Sequence, residues 1–288
     1  MDHQENMQPQ QPPRKRPVDR PVEPMKIFDD VAYIGRLVVG VFVISTSDGL
    51  VLIDSMDPVD ADEKHIVPGL QALGYRPEDI NTIIITHGHF DHFAGAKRLQ
   101  DKYGCKVALG LTDSAFMVCS EFPQKRFETL EYPRIDVVLK DREPLVFGDH
   151  TVIPVLTPGH TPGGMSLIFN VHDGGVEHWA SLWVGAGLPR PTQGWDGSFQ
   201  GVEQQLRFTC DFVHSIYAFE QECEKHGCDV VLGVHPHRCS LFEKAEKAKD
   251  RKDGDPNPFV DGAEGVKANL KELAGNAIRQ ITQIMDEM

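Results

Sequence analysis

The sequence has no apolar run long enough to cross a membrane, and positive charge is scarce. Lys and Arg number 29 against 43 Asp and Glu, so the formal net charge of the 288-residue chain is −14. A membrane-spanning helix needs about 20 mostly apolar residues, and nucleic-acid backbones and anionic lipids attract positive charge. We therefore expect neither a membrane nor a nucleic acid as a partner. The composition leaves the oligomeric state open.

Cysteine is also scarce, and none of it is arranged as C-x-x-C. A chain of this length buries roughly 75% of its unfolded surface without covalent staples, so we expect reduced thiols. The N-terminal residues lack the apolar stretch of a secretory signal. Together these features predict a cytoplasmic protein, although a signal removed before residue 1 would leave secretion open. The six cysteines are Cys105, Cys119, Cys210, Cys223, Cys228 and Cys239.

Two segments differ in composition. Residues 1–24 contain six prolines and several glutamines, and such a segment buries too little apolar surface to offset its ordering entropy. We predict a disordered tail there. Its basic cluster Arg14–Arg16 could be a nuclear-localisation signal, but a solvated tail is the simpler interpretation. Residues 25–288 have the patterning of one folded domain.

Within that domain, β-type runs occur in two groups, each accompanied by helical patterns. This grouping favours two packed sheets with helices outside. The run Asn81–Thr86 is continuously apolar in its middle, as in a fully buried strand. The predicted strands are 31–35, 38–46, 50–54, 81–86, 106–109, 136–139, 145–147, 151–156, 165–170, 176–184 and 229–234, and the predicted helices are 60–73, 93–103, 113–118, 202–225 and 263–288.

The segment directly after the strand 81–86 is rich in metal-binding side chains. It reads THGHFDH and carries His87, His89, Asp91 and His92 within six residues. His87 and His89 are two residues apart, so in extended backbone they point the same way. Neutral imidazole and carboxylate are ligands that suit zinc. One short segment cannot complete two coordination spheres, so this pattern predicts a metal site with further ligands from elsewhere in the chain.

The motif resembles the signature of the metallo-β-lactamase superfamily. Two later segments resemble that family's other ligand loops, namely LTPGHTPG with His160 and VH with His235. The resemblance runs from about residue 26 to the C-terminus and implies the αββα sandwich, an α+β fold of two mixed sheets. It implies that His87, His89 and His160 bind one zinc ion. It also implies that Asp91, His92 and His235 bind a second, with His237 as a rival to His235.

One branch of the superfamily resembles the chain most. Many hydrolytic branches carry a metal-bridging aspartate at a late strand end, whereas Trp179–Trp183 contains none. Its absence, together with local matches in CDVVLGVH and NPFVDGAEGVKANL, resembles the third subclass of metallo-β-lactamases. In that subclass two serines often follow the second ligand loop. Ser181 matches the first and Trp183 replaces the second, so both are candidates for substrate contact.

The resemblance implies a hydrolase that acts on a small molecule. The expected reaction is attack by a hydroxide bridging two zinc ions on the amide of a β-lactam ring, with Asp91 both binding metal and orienting the hydroxide. Trp183 and the absence of a signal sequence favour an alternative, another cyclic amide, a lactone or a thioester. Asp54 is a candidate partner for the ligand histidines. Six histidines have no motif and are expected at the surface or in packing, namely His65, His150, His172, His178, His214 and His226.

Overall fold

The elements follow the predicted order closely. The computed structural model describes residues 19–58, 60–119, 130–185, 187–188, 201–252 and 254–286. Its strands are β1 (Pro21–Lys26), β2 (Val31–Arg36), β3 (Gly40–Thr46), β4 (Gly49–Ile53), β5 (Ile80–Ile84), β6 (Lys106–Gly110), β7 (Val137–Leu139), β8 (Leu145–Phe147), β9 (His150–Leu156), β10 (Met165–Asp173), β11 (Val176–Trp183) and β12 (Val230–Gly233). Its α-helices are Val67–Ala72, Phe90–Phe93, Ala96–Tyr103, Leu111–Cys119, Val202–His226, Leu241–Ala248 and Gly262–Asp286, joined by single turns of other helix types at Asp62–Ile66, Pro77–Asp79 and Pro236–Arg238.

The strands form two mixed sheets. The larger has the order β1-β2-β3-β4-β5-β6-β7, and the smaller β12-β11-β10-β9-β8. Strands β1 to β4 pair antiparallel, whereas β4 to β7 pair parallel. In the smaller sheet only β11 and β12 are parallel. Parallel pairs need crossover connections, and helices of the larger half supply them.

Two hydrophobic cores hold the layers together. The larger core lies between the sheets, where Phe42 and Ile53 of one sheet meet Val152 and Phe169 of the other. The long helix Val202–His226 contributes to the same core. The second core lies on the opposite face of the larger sheet, under the helices of the N-terminal half. This layering confirms the predicted αββα sandwich.

Two elements are not predicted from sequence patterns, β1 and the helix Leu241–Ala248. Prolines at 21 and 24 argue against a strand in the sequence, because proline donates no hydrogen bond to a neighbouring strand. Strand β1 tolerates them as the edge of its sheet, and its register shifts between Val22 and Met25. Residues 21–24 thus belong to the sheet, which corrects that part of the predicted tail. Residues 1–18 lie outside the described residues. No described helix is long and apolar enough to cross a membrane.

The core between the sheets should dominate the free energy of unfolding. Phe169 on β10 is fully buried, whereas Val146 on β8 of the same sheet is 68% exposed. We expect Phe169→Ala to destabilise the protein by about 3–5 kcal/mol, because it leaves a cavity in a close-packed layer. The exposed control Val146→Ala should change stability by no more than about 0.5 kcal/mol. Urea unfolding of both variants tests the layering, and equal losses would contradict it.

Candidate metal centre

Three histidines meet beyond the end of β5. His87 and His89 belong to the loop that follows this strand, and His160 lies in the loop between β9 and β10. One ring nitrogen of each lies within 4.8 Å of those of the other two. The ring centroids are 4.7–4.9 Å apart. The structure therefore brings together the first predicted ligand set, with His87 and His89 from the side of the larger sheet and His160 from the side of the smaller.

A second cluster adjoins the first. The short helix Phe90–Phe93 carries Asp91 and His92, and His235 follows β12. Their ligand atoms also lie within 4.8 Å of one another. His92 stands 5.1 Å from His235 and only 4.0 Å from His87, measured between ring centroids. The two clusters are thus neighbours in one cleft, as a two-metal centre requires.

The choice between His235 and His237 follows from chain geometry. His235 has extended backbone at the end of β12, and its ring enters the second cluster. His237 lies on the single helical turn that follows and is exposed. Among the residues that the structure describes, it is not part of either cluster. The arrangement favours His235.

Each of four ligand histidines is held through its Nδ1 atom. His92 Nδ1 donates to Asp54 Oδ2 at 2.7 Å, and His235 Nδ1 donates to Val38 O at 2.9 Å. His160 Nδ1 donates to Gly187 O at 2.7 Å. His87 Nδ1 lies 3.0 Å from the Thr86 hydroxyl, which itself donates to Asp54. Such partners fix the tautomer and leave Nε2 as the atom that can ligate a metal.

The Nε2 atoms of these histidine rings are suited to bind a metal. His87 Nε2 and His92 Nε2 are buried and have no hydrogen-bond partner among the described residues. A buried nitrogen without a partner costs about 1–3 kcal/mol. The nearest acidic atom to His92 Nε2 is Asp91 Oδ2, 3.5 Å away. A zinc ion, which takes imidazole nitrogen and carboxylate oxygen, would satisfy these atoms.

Electrostatics favour the neutral, ligating form of most of the histidines. Burial, with additional repulsion from neighbouring rings, lowers the pKa of His87 and His160 far below the usual range. Burial also lowers the pKa of His235 and brings that of His89 to about 4. Because only a neutral imidazole can ligate a metal, these rings are prepared for metal near neutral pH.

His92 and Asp91 behave differently from the other ligands. Burial opposes charge on His92, but the carboxylates of Asp91 and Asp54 outweigh it and raise its pKa to about 10. Desolvation would raise the pKa of Asp91, but the neighbouring histidines, His92 first, lower it. The second cluster therefore attracts a cation, either a proton on His92 or a metal ion.

One further carboxylate, not found by sequence reasoning, holds both ligand loops. Asp113 accepts the Gly88 and Gly163 N–H groups at 2.8 and 2.6 Å, and the Thr161 hydroxyl at 2.7 Å. It is fully buried, and burial raises its pKa to about 6. Its signal in the sequence is its place just after strand β6, next to β5 in the parallel half. A Cβ at Gly88 would lie 2.8 Å from Asp113 O, so this close approach requires glycine.

The structure does not support substrate contact by Ser181 or Trp183. The Ser181 hydroxyl is buried and donates to Val230 O at 2.9 Å on the neighbouring strand. Trp183 is buried against Phe212, and its Nε1 donates to Gly185 O at 2.7 Å. Both side chains have their polar atoms satisfied inside the fold. Substrate contact by either of them stays a prediction.

Comparisons with known proteins agree with this geometry. A sequence model of the metallo-beta-lactamase superfamily matches residues 34–176, a span that includes His87 to His160. This chain belongs to the metallo-beta-lactamase superfamily. Its fold resembles the subclass B3 metallo-beta-lactamase BJP-1 of Bradyrhizobium japonicum at 26% identity, covering 93% of this chain and 96% of that one, with a TM-score of 0.74. The native FEZ-1 metallo-beta-lactamase of Legionella gormanii shares the fold at 24% identity, covering 94% and 99%, with a TM-score of 0.78.

Curated superfamily relatives carry other names. A hydroxyacylglutathione hydrolase of Rhizobium etli is 32% identical over 111 residues, 38% of this chain and 37% of that protein. The N-acyl homoserine lactonase AttM of Rhizobium radiobacter is 24% identical over 196 residues, 65% of this chain and 70% of that one. The chain therefore matches little more than a third of the length of the first of these relatives.

The Asp54 carboxylate should strengthen metal binding through His92. Asp54 has a left-handed backbone with φ 65°, which asparagine also tolerates, so Asp54→Asn removes charge with little change of shape. We expect zinc affinity to fall about 10–100-fold, because the carboxylate orients the ligand ring and raises its basicity. Chelator competition measures this, with the exposed Asp48→Asn as the matched control. Wild-type affinity in Asp54→Asn would show that the contact is only structural.

The two neighbouring histidines His235 and His237 form a natural pair of variants. We expect His235→Ala to lose about one zinc ion per chain, because the second cluster then keeps too few ligands. His237→Ala should retain the wild-type content. Elemental analysis after gel filtration gives the ratio, and the reverse pattern would make His237 the ligand.

Proposed function

We propose that this chain is a metal-dependent hydrolase that opens the amide of a β-lactam ring. The observation that carries the proposal is the pair of adjoining clusters, in which four of the five rings have their Nδ1 atom held by a neighbouring group. A scaffold or binding module has no need for two such clusters side by side. The hydrolase domain would comprise residues 25–288.

The residues divide into two proposed ligand sets. His87, His89 and His160 would hold one zinc ion, and Asp91, His92 and His235 a second. When bound, such ions supply a Lewis acid for the substrate carbonyl and lower the pKa of water toward about 7. The protein's own contribution is to fix the rings by their Nδ1 contacts before substrate arrives, so that little reorganisation is needed during reaction.

Asp91 is the proposed catalytic residue of this chain. Its side chain is 26% exposed, so it reaches the cleft, while the surrounding histidines keep its pKa low. A carboxylate with a low pKa is a weak proton acceptor at neutral pH, because general bases work best when their pKa is near the operating pH. Asp91 is therefore better suited to accept a hydrogen bond from the attacking water, and so to orient it, than to remove its proton.

The β-lactam assignment has two supports. Strand β11 carries no aspartate that could bridge the clusters, and the fold is similar over 93% of the chain to a subclass B3 metallo-beta-lactamase. A second candidate, hydrolysis of a lactone or thioester, is favoured by the names of the curated relatives. Burial of Trp183, where the β-lactamase resemblance expects a polar serine, also favours it. All of these substrates place an acyl carbon under attack, so the same proposed centre would serve each of them.

A substrate panel separates the candidates. Zinc-loaded protein would be assayed against a chromogenic cephalosporin, a carbapenem, an acylated homoserine lactone and an acylglutathione, with and without a chelator. We expect fast, chelator-sensitive turnover of the β-lactams, and its loss in His89→Ala because the first ligand set is then incomplete. The control is His237→Ala, which should keep full activity.

The activity on each substrate distinguishes the two candidate functions, and the His89→Ala variant tests the metal centre. Turnover of the lactone or the acylglutathione alone would replace the β-lactam assignment with the second candidate. Full activity in His89→Ala, or activity indifferent to chelator, would contradict a metal-dependent mechanism at this centre.

A further inference from the structure

A second group of metal-binding side chains lies at the opposite end of the sandwich. Asp30 belongs to the turn before β2, whereas His150 begins β9 and His172 lies near the end of β10. Their ligand atoms lie within 4.8 Å of one another. Strand β9 separates His150 from the His160 loop by seven residues, or about 20 Å at roughly 3.3 Å per residue. The group is thus remote from the proposed catalytic clusters.

The carboxylate of Asp30 is held in place. Its Oδ1 accepts the backbone N–H of His172 at 3.0 Å, and its carbonyl oxygen accepts the Ser45 N–H at 2.8 Å. These contacts leave Oδ2 facing two rings, at 2.8 Å from His150 Nε2 and 2.5 Å from His172 Nδ1. Three donors therefore converge on one point from both sheets, and a rigid backbone supports them.

The outer nitrogens of the two rings also face carboxylates. His150 Nδ1 lies 2.9 Å from Asp149 Oδ1, and His172 Nε2 lies 3.9 Å from Glu177 Oε2. Metal-ligating histidines generally donate their second N–H to a carboxylate, which fixes the ring and raises its basicity. His150 has this arrangement, whereas His172 Nε2 lies beyond hydrogen-bond distance of Glu177. Because the two rings also share the Asp30 carboxylate, the cluster resembles a metal site with a supporting group on one ligand.

The carboxylates near His150 and His172 also favour a bound cation. Asp30 is the most buried of the three carboxylates near the two rings, because Asp149 and Glu177 are 60% and 53% exposed and solvent screens their charges. Hydrogen bonds to Asp30 and Asp149 outweigh burial and raise the pKa of His150. A proton on His150 answers part of this charge, and a divalent ion would answer more of it.

We propose that Asp30, His150 and His172 form a third metal site, taking a divalent transition ion such as Zn²⁺ and joining the two sheets. Ligands at about 2.0–2.1 Å in a tetrahedron lie about 3.3 Å apart, so each ring nitrogen, now 2.8 or 2.5 Å from Asp30 Oδ2, needs to move away from it by less than about 1 Å. His172 is 31% exposed at its side chain, which gives an ion a route in and leaves room for water as a fourth ligand. Binding displaces the proton from the cluster.

The test compares zinc binding in variants of the full chain. Zn²⁺ would be titrated into metal-free protein by calorimetry, with the ratio checked by elemental analysis. We expect Asp30→Asn, His150→Gln and His172→Gln each to lose one equivalent relative to wild type. The matched control is His178→Gln, because His178 also pairs with a carboxylate, that of Asp229 at 2.6 Å, but belongs to no cluster of described residues.

A second readout separates this site from the catalytic centre. In a variant that combines His89→Ala with His235→Ala, and so weakens both ligand sets of the cleft, zinc should still raise the thermal midpoint, because binding to the folded state alone stabilises it. That increase should vanish when His172→Gln is added. His172→Gln alters a partly exposed residue, so its result does not depend on a core variant folding. Unchanged stoichiometry in all three single variants, or an unchanged thermal response when His172→Gln is added to the His89→Ala and His235→Ala changes, would overturn the proposal and leave a proton-held network of ion pairs.

Discussion

The buried contact between Asp54 and His92 connects most of what makes this centre possible. Asp54 stands at the end of β4 with a left-handed backbone. Its carboxylate accepts the Thr86 N–H and hydroxyl as well as the His92 ring. Its own N–H donates to Ile84 O on β5. One side chain thus fixes the loop that carries His87 and the helix that carries His92, because both ligand segments are bonded to the same carboxylate.

Asp113 performs the equivalent task two strands further along the sheet. It follows β6 and binds the Gly88 N–H of the first ligand loop, together with Thr161 and Gly163 of the second. Strands β4, β5 and β6 are parallel neighbours, so their carboxyl ends meet at one edge. Ligand sites in sheets of this kind gather at such edges. The cleft is therefore built from the ends of parallel strands, with buried carboxylates holding the loops that leave them.

Much of this could be predicted from the sequence, for identifiable reasons. The apolar run in the sequence predicts strand β5. Four candidate metal ligands lie in the short segment that follows it. The sheet grouping followed from β-type runs separated by turn signals, whereas β1 was hidden by its prolines, tolerated only at an edge. Asp113 was missed because its partners are 25 to 50 residues away in the chain. The burial of Ser181 and Trp183 was not foreseen, because alternation along β11 does not reveal that residues 180–183 are buried on both faces.

His150 and His172 illustrate the same limit and its physical origin. Without a neighbouring motif they were expected to be surface or packing residues, yet His150 is buried and paired with two aspartates. Imidazole and carboxylate groups therefore meet at both ends of the β9–β10 pair, in the cleft at one end and beside Asp30 at the other. The surroundings of the two groups differ. In the cleft, rings crowd against rings, which keeps most of them neutral and ready to ligate. At the far end, carboxylates crowd around the rings and raise the pKa of His150. We therefore expect the donors of the cleft to bind a metal more readily than those of the far end, where an ion would compete with a proton held by carboxylates.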